Sequence, residues 1–339
     1  MTTPVLMTGP VVQVEHLRKR YGATLAVDDV SLTVERGEIF GILGRNGAGK
    51  TTTVEMIAGL RTPDAGTVRV LGLDPAVGAQ RARLREVVGL QLQESALPDR
   101  LRVREALDLY ASFYDEPADP AGLLDLLGLT DKAGTAFRDL SGGLKQRLSV
   151  ALALVGRPQV AILDELTTGL DPLARREAWA VVETIRDAGV TILLVTHLME
   201  EAERLCDRVA LISAGRVAAV GTPEEVVALA AGEQVLRVRP DGAVADDALL
   251  AAVARVTDVR DAAVEDGALV VRGGGRMVQD VLVALAGVGV QSRDVRLDRA
   301  SLDDAFVSLT DDEPPRPATP AAGPAAGTAA APTSVSTEA

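Results

Sequence analysis

A glycine-rich run of eight residues constrains this chain more than any other feature. Residues 44–51 read GRNGAGKT and fit the pattern G-x-x-x-x-G-K-[ST] at every defined position. The apolar segment EIFGIL precedes the run, and the helix-compatible segment TTTVEMIA follows it. A strand, a glycine-rich turn and a helix in this order bind phosphate groups, because the turn and the helix N-terminus direct several backbone N–H groups at one point.

The residues of this run have separate predicted roles. Lys50 is expected to reach the β- and γ-phosphates of a nucleotide, and Thr51 is expected to offer its hydroxyl group to Mg²⁺. The remaining candidate nucleotide-binding residues are Gly44, Arg45, Asn46, Gly47, Ala48, Gly49 and Thr52. Because a strand and a helix flank the run, a nucleotide site is favoured over a glycine-rich turn without a ligand. We therefore identify residues 44–51 as the P-loop of an NTPase.

Two adjacent carboxylates follow a second apolar segment. In VAILDE, four apolar residues precede Asp164 and Glu165, and ligands of open α/β sheets bind at the carboxyl ends of such strands. Neighbouring carboxylates repel each other unless a cation compensates their charge. We expect Asp164 to hold Mg²⁺, directly or through water, and Glu165 to orient and activate an attacking water.

Composition excludes several classes of protein. A net charge of −13 and a pI near 4.8 argue against a general nucleic-acid binder. The apolar runs LSVALALVG and VLVALAGVGV are shorter than the roughly 20 residues that cross a bilayer. The N-terminus, MTTPVLMTGP, lacks the regions of a signal peptide, and the single cysteine, Cys206, fits a reducing compartment. We therefore expect a cytoplasmic protein without a transmembrane segment.

Three regions differ in pattern. Residues 1–231 alternate strand-like and helical runs, as in an α/β domain, and end with a hairpin and a helix that starts at the capping box of Thr222 and Glu225. Residues 235–310 predict the order strand, helix, strand, strand, helix, strand of a small α+β, ferredoxin-like domain, followed by a short helix capped by Ser301. Residues 311–339 form a Pro- and Ala-rich tail that is expected to be disordered.

A second anion-binding helix start lies at Ser141, within FRDLSGGLKQRLSVALAL. The order LSGG, ILDE, TTGLD and LLVTHLMEEAE resembles the nucleotide-binding subunits of the ATP-binding-cassette (ABC) transporter family over about residues 11–231. The resemblance implies a RecA-like core with antiparallel β and helical subdomains, and ATP and Mg²⁺ as ligands. It also implies that two cassettes pack head to tail. Ser141, Gly142 and Gly143 would then contact the ATP held by the partner's P-loop.

The same resemblance implies roles for four other residues. Tyr21 matches the aromatic residue that stacks on adenine, although a strand residue in the core would fit its position too. Gln93 matches the glutamine that senses Mg²⁺ and the attacking water, with Gln91 as a competitor. Asp171 matches the aspartate that crosses the dimer interface, and His197 matches the switch histidine at the γ-phosphate. His16 matches no motif and is expected to be structural.

Two positions depart from the family pattern. Leu144 stands where the family usually has glutamine, and Leu166 stands where it usually has proline. Leu144 removes a polar side chain near the shared nucleotide. Leu166 is expected to relax the turn after Glu165, because proline would fix the backbone there. These departures motivate one alternative, a regulator that binds ATP without turning it over.

The segment THLMEEAERLCDRVALISAGRVAAVGTPEE and the terminal SLDDAFVSLT resemble the ATPase subunits of daunorubicin/doxorubicin-resistance-type bacterial exporters. This implies an ATPase that powers a separate multi-spanning membrane permease from the cytoplasmic face, as a homodimer or with a similar cassette. Drugs or other hydrophobic, lipid or glycan compounds would be exported. The main alternative is a non-transport ABC ATPase acting on ribosomes or DNA. A single cassette, the acidic charge and the lack of heptads between Lys50 and Ser141 disfavour it. A GTPase is disfavoured because N-K-x-D is absent.

Overall fold

One twisted sheet organises the first 230 residues. The computed structural model describes residues 9–91, 97–230, 234–242, 244–274, 277–298 and 301–310. In sequence order, the strands of the large sheet are β1 (Val12–Tyr21), β2 (Thr24–Val34), β3 (Ile39–Leu43), β4 (Ala65–Val70), β5 (Val88–Gln91), β6 (Val160–Asp164), β7 (Thr191–Thr196), β8 (Arg208–Ser213) and β9 (Arg216–Gly221). Their order across the sheet is β4-β1-β2-β9-β8-β3-β7-β6-β5.

The centre of this sheet is parallel and covered on both faces. Every residue of β3, β6 and β7 is buried, as expected for parallel strands between two helical layers. Alternate residues face different cores, since Ile39 and Leu43 join one hydrophobic cluster while Phe40 and Ile42 join the other. The helices of this domain are α1 (Lys50–Ile57), α2 (Gly78–Val87), α3 (Val103–Ala111), α4 (Pro120–Leu126), α5 (Gly142–Leu154), α6 (Pro172–Asp187), α7 (Met199–Leu205) and α8 (Pro223–Ala230).

The antiparallel strands β1, β2 and β4 join the parallel core through a narrow seam. Strand β2 pairs with β9 at one residue pair, Asp29 with Arg216. Beside it, the buried carboxylate of Asp28 forms ion pairs with Arg18 at 2.9 Å and with Arg216 at 2.6 Å. The Arg216 guanidinium lowers the pKa of Asp28. One carboxylate therefore links β1, β2 and β9.

The predicted hairpin and capping box are confirmed. Strands β8 and β9 pair antiparallel, and both turn residues, Ala214 (φ 47°) and Gly215 (φ 82°), have the positive φ of a two-residue hairpin turn. At the start of α8, the Glu225 N–H donates to Thr222 Oγ1 at 3.2 Å, and the Thr222 N–H donates to the Glu225 carboxylate at 2.9 Å. Among the described residues, no helix combines the length and apolar character needed to span a membrane.

A four-stranded antiparallel sheet follows. Its elements are β10 (Gln234–Pro240), α9 (Asp246–Val253), β11 (Val259–Glu265), β12 (Ala268–Gly273), α10 (Met277–Gly287) and β13 (Ser292–Asp298), and the strand order is β11-β12-β10-β13. Residues of β10, β12, α9 and α10 form a third hydrophobic cluster that includes Leu236, Val271 and Val281. This unit therefore has a core of its own. Its ferredoxin-like assignment and its boundaries, 235–310, stay predictions.

The last helix packs against the α/β domain. Helix α11 (Leu302–Thr310) contacts α8, α7 and β9, and Leu302, Ala305 and Phe306 are buried in a core of the α/β domain. The Leu302 N–H donates to Glu203 of α7 at 2.8 Å. Ser301 caps the helix as predicted, accepting from the Asp304 N–H at 3.2 Å. The chain thus returns to the first domain because α11 buries its apolar face there, which the sequence pattern did not predict. The tail, 311–339, lies outside the described residues.

We expect Phe306→Ala to lower the free energy of unfolding of the α/β domain by about 3–5 kcal/mol, because the substitution leaves a cavity in its core. Urea unfolding followed by the fluorescence of Trp179, the single tryptophan of the chain, would measure this change. The control is Val307→Ala in the same helix, which is 53% exposed and should change the free energy by less than about 0.5 kcal/mol. Equal stability of the two variants would contradict the packing of α11.

Candidate active site

The P-loop packs tightly against two neighbouring strands. A Cβ atom at Gly44 would lie 2.3 Å from the carbonyl oxygen of Ile212, and one at Gly49, where φ is 103°, would lie 2.4 Å from that of Ala26. Glycine is therefore required at both positions. No side chain caps helix α1, which begins directly after Gly49. The loop thus presents the positive end of α1 to a ligand, as the sequence pattern predicts.

The other P-loop residues divide between solvent and core. Arg45, Asn46 and Thr51 are exposed, as is Gly47, whereas Ala48 is buried. The Ala48 carbonyl accepts a hydrogen bond from the N–H of Gly215 at 3.0 Å. The β8–β9 turn therefore supports the P-loop through this hydrogen bond. Thr52 is half-buried in the first turn of α1.

Lys50 lies inside the loop. Its side chain is buried, and its Nζ donates to the carbonyl oxygens of Gly44 at 2.8 Å and Arg45 at 3.1 Å. Burial lowers the pKa of Lys50, while the nearby charges of Glu165 and Asp164 raise it. The ammonium group thus lies between the loop and the two carboxylates, where it can meet the phosphates of a nucleotide.

Asp164 lies at the end of β6, next to the first turn of α1. Thr51 Oγ1 donates to Asp164 Oδ2 at 3.4 Å. Asp164 Oδ1 is buried and has no hydrogen-bond partner among the described residues. Burial and, after it, the charge of Glu165 raise the pKa of Asp164 to about 6. A hydroxyl oxygen and a carboxylate oxygen without a donor fit the oxygen ligands that Mg²⁺ prefers.

The structure brings Glu165 and His197 together. His197 Nδ1 lies 3.2 Å from Glu165 Oε1. Glu165 has a left-handed backbone (φ 51°), which is uncommon for a residue with a side chain and is typical of strained functional positions. Its N–H donates to the carbonyl of Val195 at 2.8 Å, and Thr168 Oγ1 lies 3.4 Å from Oε2. The carboxylate is therefore held at the same sheet edge as the P-loop.

Gln93 lies outside the described residues, so its role stays a prediction. The competitor Gln91 ends strand β5 and is buried. Its Nε2 donates to the backbone oxygen of Asp164 at 3.3 Å. Gln91 thus supports the end of β6 from the neighbouring strand.

Tyr21 lies on the surface, at the end of β1. Its 40% exposure excludes the alternative that it is a core residue. The Arg61 guanidinium lies 5.4 Å from the ring centroid and Lys19 Nζ lies 5.7 Å from it. Adenine stacking on this ring stays a prediction. His16 is also exposed, and its Nδ1 lies 3.0 Å from Asp29.

A separate cleft contains Ser141 and the two glycines that follow it. Ser141 caps helix α5, accepting from the Leu144 N–H at 3.4 Å, and Asp171 caps α6, accepting from the N–H groups of Leu173 and Ala174 at 3.0 Å. A cleft of about 350 Å³ between these helices is lined by residues that include Ser141, Gly142, Gly143, Leu144, Leu166 and Asp171. None of the described residues lining it belongs to the P-loop.

The two departures from the family pattern meet in this cleft. Leu166 was expected to relax the turn after Glu165, but it is 2% exposed and belongs to a hydrophobic core. Leu144 packs against the same core. The turn is therefore held by burial of an apolar side chain where proline would have restricted the backbone. Sequence reasoning missed this because it treated the two positions separately.

Sequence reasoning also missed Glu201, a fully buried residue of α7. Its Oε1 accepts hydrogen bonds from Thr167 Oγ1 at 2.9 Å and from Trp179 Nε1 at 3.2 Å. The only sequence signal is a charged residue on the buried face of a short helix. A surface position would have fitted the charge equally well, so the signal was weak.

Comparisons with known proteins agree with this geometry. The family model described as "ABC transporter" matches residues 27–168. The chain is 37% identical to the daunorubicin resistance ATP-binding protein DrrA3 of Streptomyces coeruleorubidus, over 91% of this chain and 98% of that protein. It is 43% identical to Nod factor export ATP-binding protein I of Ralstonia nicotianae, over 74% of this chain and 79% of that protein.

A solved structure of an ATP-binding subunit of an ABC transporter aligns with 65% of this chain and with 92% of the length of that subunit. The TM-score of this match is 0.58 and the identity is 31%. The chain belongs to the family of ATP-binding, ATP-hydrolysing subunits of ABC transporters.

Proposed function

We propose that this protein hydrolyses ATP to drive export through a separate membrane permease. The observation that carries the proposal is the convergence of Lys50, Thr51, Asp164, Glu165 and His197 at one edge of the parallel sheet. Its relatives include proteins named for Nod factor export and for daunorubicin resistance, which supports export as the direction. The cargo class that fits these names is a drug or another hydrophobic, lipid or glycan compound.

In the proposed reaction, water attacks the γ-phosphorus in line and the bond to the β-phosphate oxygen breaks, which gives ADP and phosphate. Lys50 neutralises phosphate charge from within the loop. Glu165 orients the water and accepts its proton, because its carboxylate lies at the P-loop side of the sheet. His197 holds that carboxylate through the 3.2 Å contact and would contact the γ-phosphate of a bound nucleotide. Tyr21 stacks on adenine.

Mg²⁺ is proposed as the cofactor of this reaction, held by Thr51 and Asp164 with Gln93 as a further ligand. Among the described residues, no three His, Cys, Asp or Glu side chains form a metal site on their own. Oxygen atoms of the nucleotide would therefore complete the ligand set. When bound, the ion would neutralise charge that develops on the phosphates.

The proposed active unit contains two cassettes. The Ser141 cleft is built from α5 and α6, apart from this chain's own P-loop, so a second copy or a similar cassette would bring Ser141, Gly142 and Gly143 to the γ-phosphate. The exposed Asp171 at the same cleft would contact the partner cassette. A permease would hold the pair at the cytoplasmic face of the membrane. One solved relative, cbiO1 of Clostridium perfringens, is described as part of a transporter complex.

We expect Lys50→Ala to lower ATP affinity at least tenfold and to abolish hydrolysis, because the ammonium group that the Gly44 and Arg45 carbonyls hold within the loop would no longer neutralise phosphate charge. Binding of a fluorescent ATP analogue and phosphate release would measure both effects. Lys132→Ala, at an exposed position, serves as the control and should leave both unchanged. Normal turnover of Lys50→Ala would refute the assignment of the P-loop.

Glu165→Gln should bind ATP with near-normal affinity and lower turnover by about a hundredfold or more, because the amide cannot accept the proton of the attacking water. ATP should then accumulate a dimer, measurable by light scattering. Glu116→Gln, at an exposed position, is the matched control and should remain active. A Glu165→Gln variant that stays monomeric at saturating ATP, even with its membrane partner, would contradict the shared site.

The transport role is tested by purifying tagged Glu165→Gln protein with ATP from detergent-solubilised cells of the native host. Mass spectrometry should identify a multi-spanning membrane protein among the co-purifying chains, and Lys50→Ala serves as the control for ATP-dependent assembly. Recovery of ribosomal proteins or DNA-repair factors without a membrane protein would refute export and favour the non-transport alternative.

A further inference from the structure

The carboxyl group of Glu201 is buried beneath the active site, and the proposed chemistry does not use it. The residue lies on α7 and has no solvent exposure. Oε1 accepts two hydrogen bonds, from the Thr167 hydroxyl at 2.9 Å and from the Trp179 indole N–H at 3.2 Å. Oε2 is buried and has no hydrogen-bond partner among the described residues.

Such a group lowers stability. A buried polar atom without a partner has lost its hydrogen bonds to water without replacing them, and exchanging buried polar groups for apolar side chains of similar shape is often neutral or stabilising. The surroundings of Glu201 are apolar, since Met199, Ala202 and Leu205 of the same helix join the hydrophobic core. A carboxyl group at this position therefore needs an explanation other than stability.

The two hydrogen bonds connect three segments that carry proposed active-site residues. Thr167 follows Glu165 by two residues, in the turn that leaves strand β6. Trp179 lies on α6, the helix that Asp171 caps. Glu201 itself lies four residues after His197. One oxygen atom thus joins the catalytic turn, the helix at the dimer interface and the helix behind the switch histidine.

A second, partly buried contact joins two of these segments. His197 Nδ1 lies 3.2 Å from Glu165 Oε1. The buried Thr167–Glu201 hydrogen bond joins the same two segments a second time. Between them, Leu166 is buried in the core. The turn after Glu165 lacks the backbone restriction that proline would give. These contacts restrict the turn at both of its ends instead. A shift of α7 would move Thr167 and, through the turn, the Glu165 carboxylate.

We propose that Glu201 is a positioning residue for ATP hydrolysis, which holds the turn after Glu165, helix α6 and helix α7 in one arrangement. The inference rests on the proposed function. Glu201 acts through Thr167 and Trp179 and touches neither nucleotide nor water in the proposed reaction. Its removal should therefore lower kcat and leave ATP affinity nearly unchanged, because its two hydrogen bonds go to Thr167 and Trp179, which lie outside the P-loop.

The chain contains a built-in reporter of this contact. Trp179 is the single tryptophan, and its indole N–H donates to Glu201. The emission spectrum of the protein therefore reports the environment of this hydrogen bond directly. Loss of the acceptor should shift the emission maximum whether or not nucleotide is bound.

The test compares Glu201→Ala, Glu201→Gln and the control Glu200→Ala in the full chain. Glutamine keeps a carbonyl oxygen that can accept both hydrogen bonds, so Glu201→Gln should retain kcat within about threefold. Glu201→Ala should lower kcat by about tenfold to a hundredfold, with an ATP Kd within about twofold and a shifted emission maximum. Glu200 is 71% exposed on the same helix, so its removal should leave kcat, the ATP Kd and the emission maximum unchanged.

Thr167→Val and Trp179→Phe keep the test valid if Glu201→Ala does not fold, because each removes one donor. Thr167→Val nearly preserves the shape of the side chain, whereas Trp179→Phe replaces the indole with a smaller ring. Each should lower kcat several-fold with an unchanged Kd. Full kcat in a folded Glu201→Ala variant, or in both donor variants, would overturn the positioning role. An equal loss of kcat in Glu201→Gln and Glu201→Ala would overturn it too. A wild-type protein without ATP hydrolysis would instead refute the proposed function.

Discussion

The parallel pairing of β3, β7 and β6 decides where the chemistry of this protein lies. Leu43 at the end of β3 is paired with Thr196 of β7, and Asp164 at the end of β6 is paired with Val195. The chain therefore leaves all three strands at the same edge and nearly the same height. The P-loop, the turn after Glu165 and His197 follow at once, so each proposed functional group starts next to the others. A slip of one residue in either pairing would separate them.

Polar groups in the core concentrate beneath this edge. Lys50, Gln91, Asp164, Thr167 and Glu201 are all buried, although each is of a type that usually prefers water. Most of their polar atoms bond to turns that carry the site, and Asp164 Oδ1, which has no hydrogen-bond partner among the described residues, lies where a ligand could complete it. Polar side chains are thus buried, against their usual preference for water, mainly where they position groups of the proposed active site.

Two features tie the site to parts of the molecule beyond the parallel strands. Leu144 and Leu166 line one cleft beside Ser141, so the position of the catalytic turn depends on packing against the helix that the partner cassette would contact. On the other side of α7, Glu203 accepts from the N-terminus of α11, which buries Phe306 in the same core. Helix α7, which follows His197, therefore lies between the cleft at Ser141 and helix α11.

The sequence alone determined the residues whose chemistry is local. The P-loop, the carboxylates after β6, the Ser141 cap and the hairpin could be predicted because each depends on neighbouring residues and known dihedral preferences. Tertiary structure alone decided that Leu166 is buried, that Glu201 joins Thr167 to Trp179, and that α11 returns to the first domain. These contacts join residues far apart in the chain. Hydrophobic burial has no direction along the sequence, so the pattern of one helix cannot name the face that covers it.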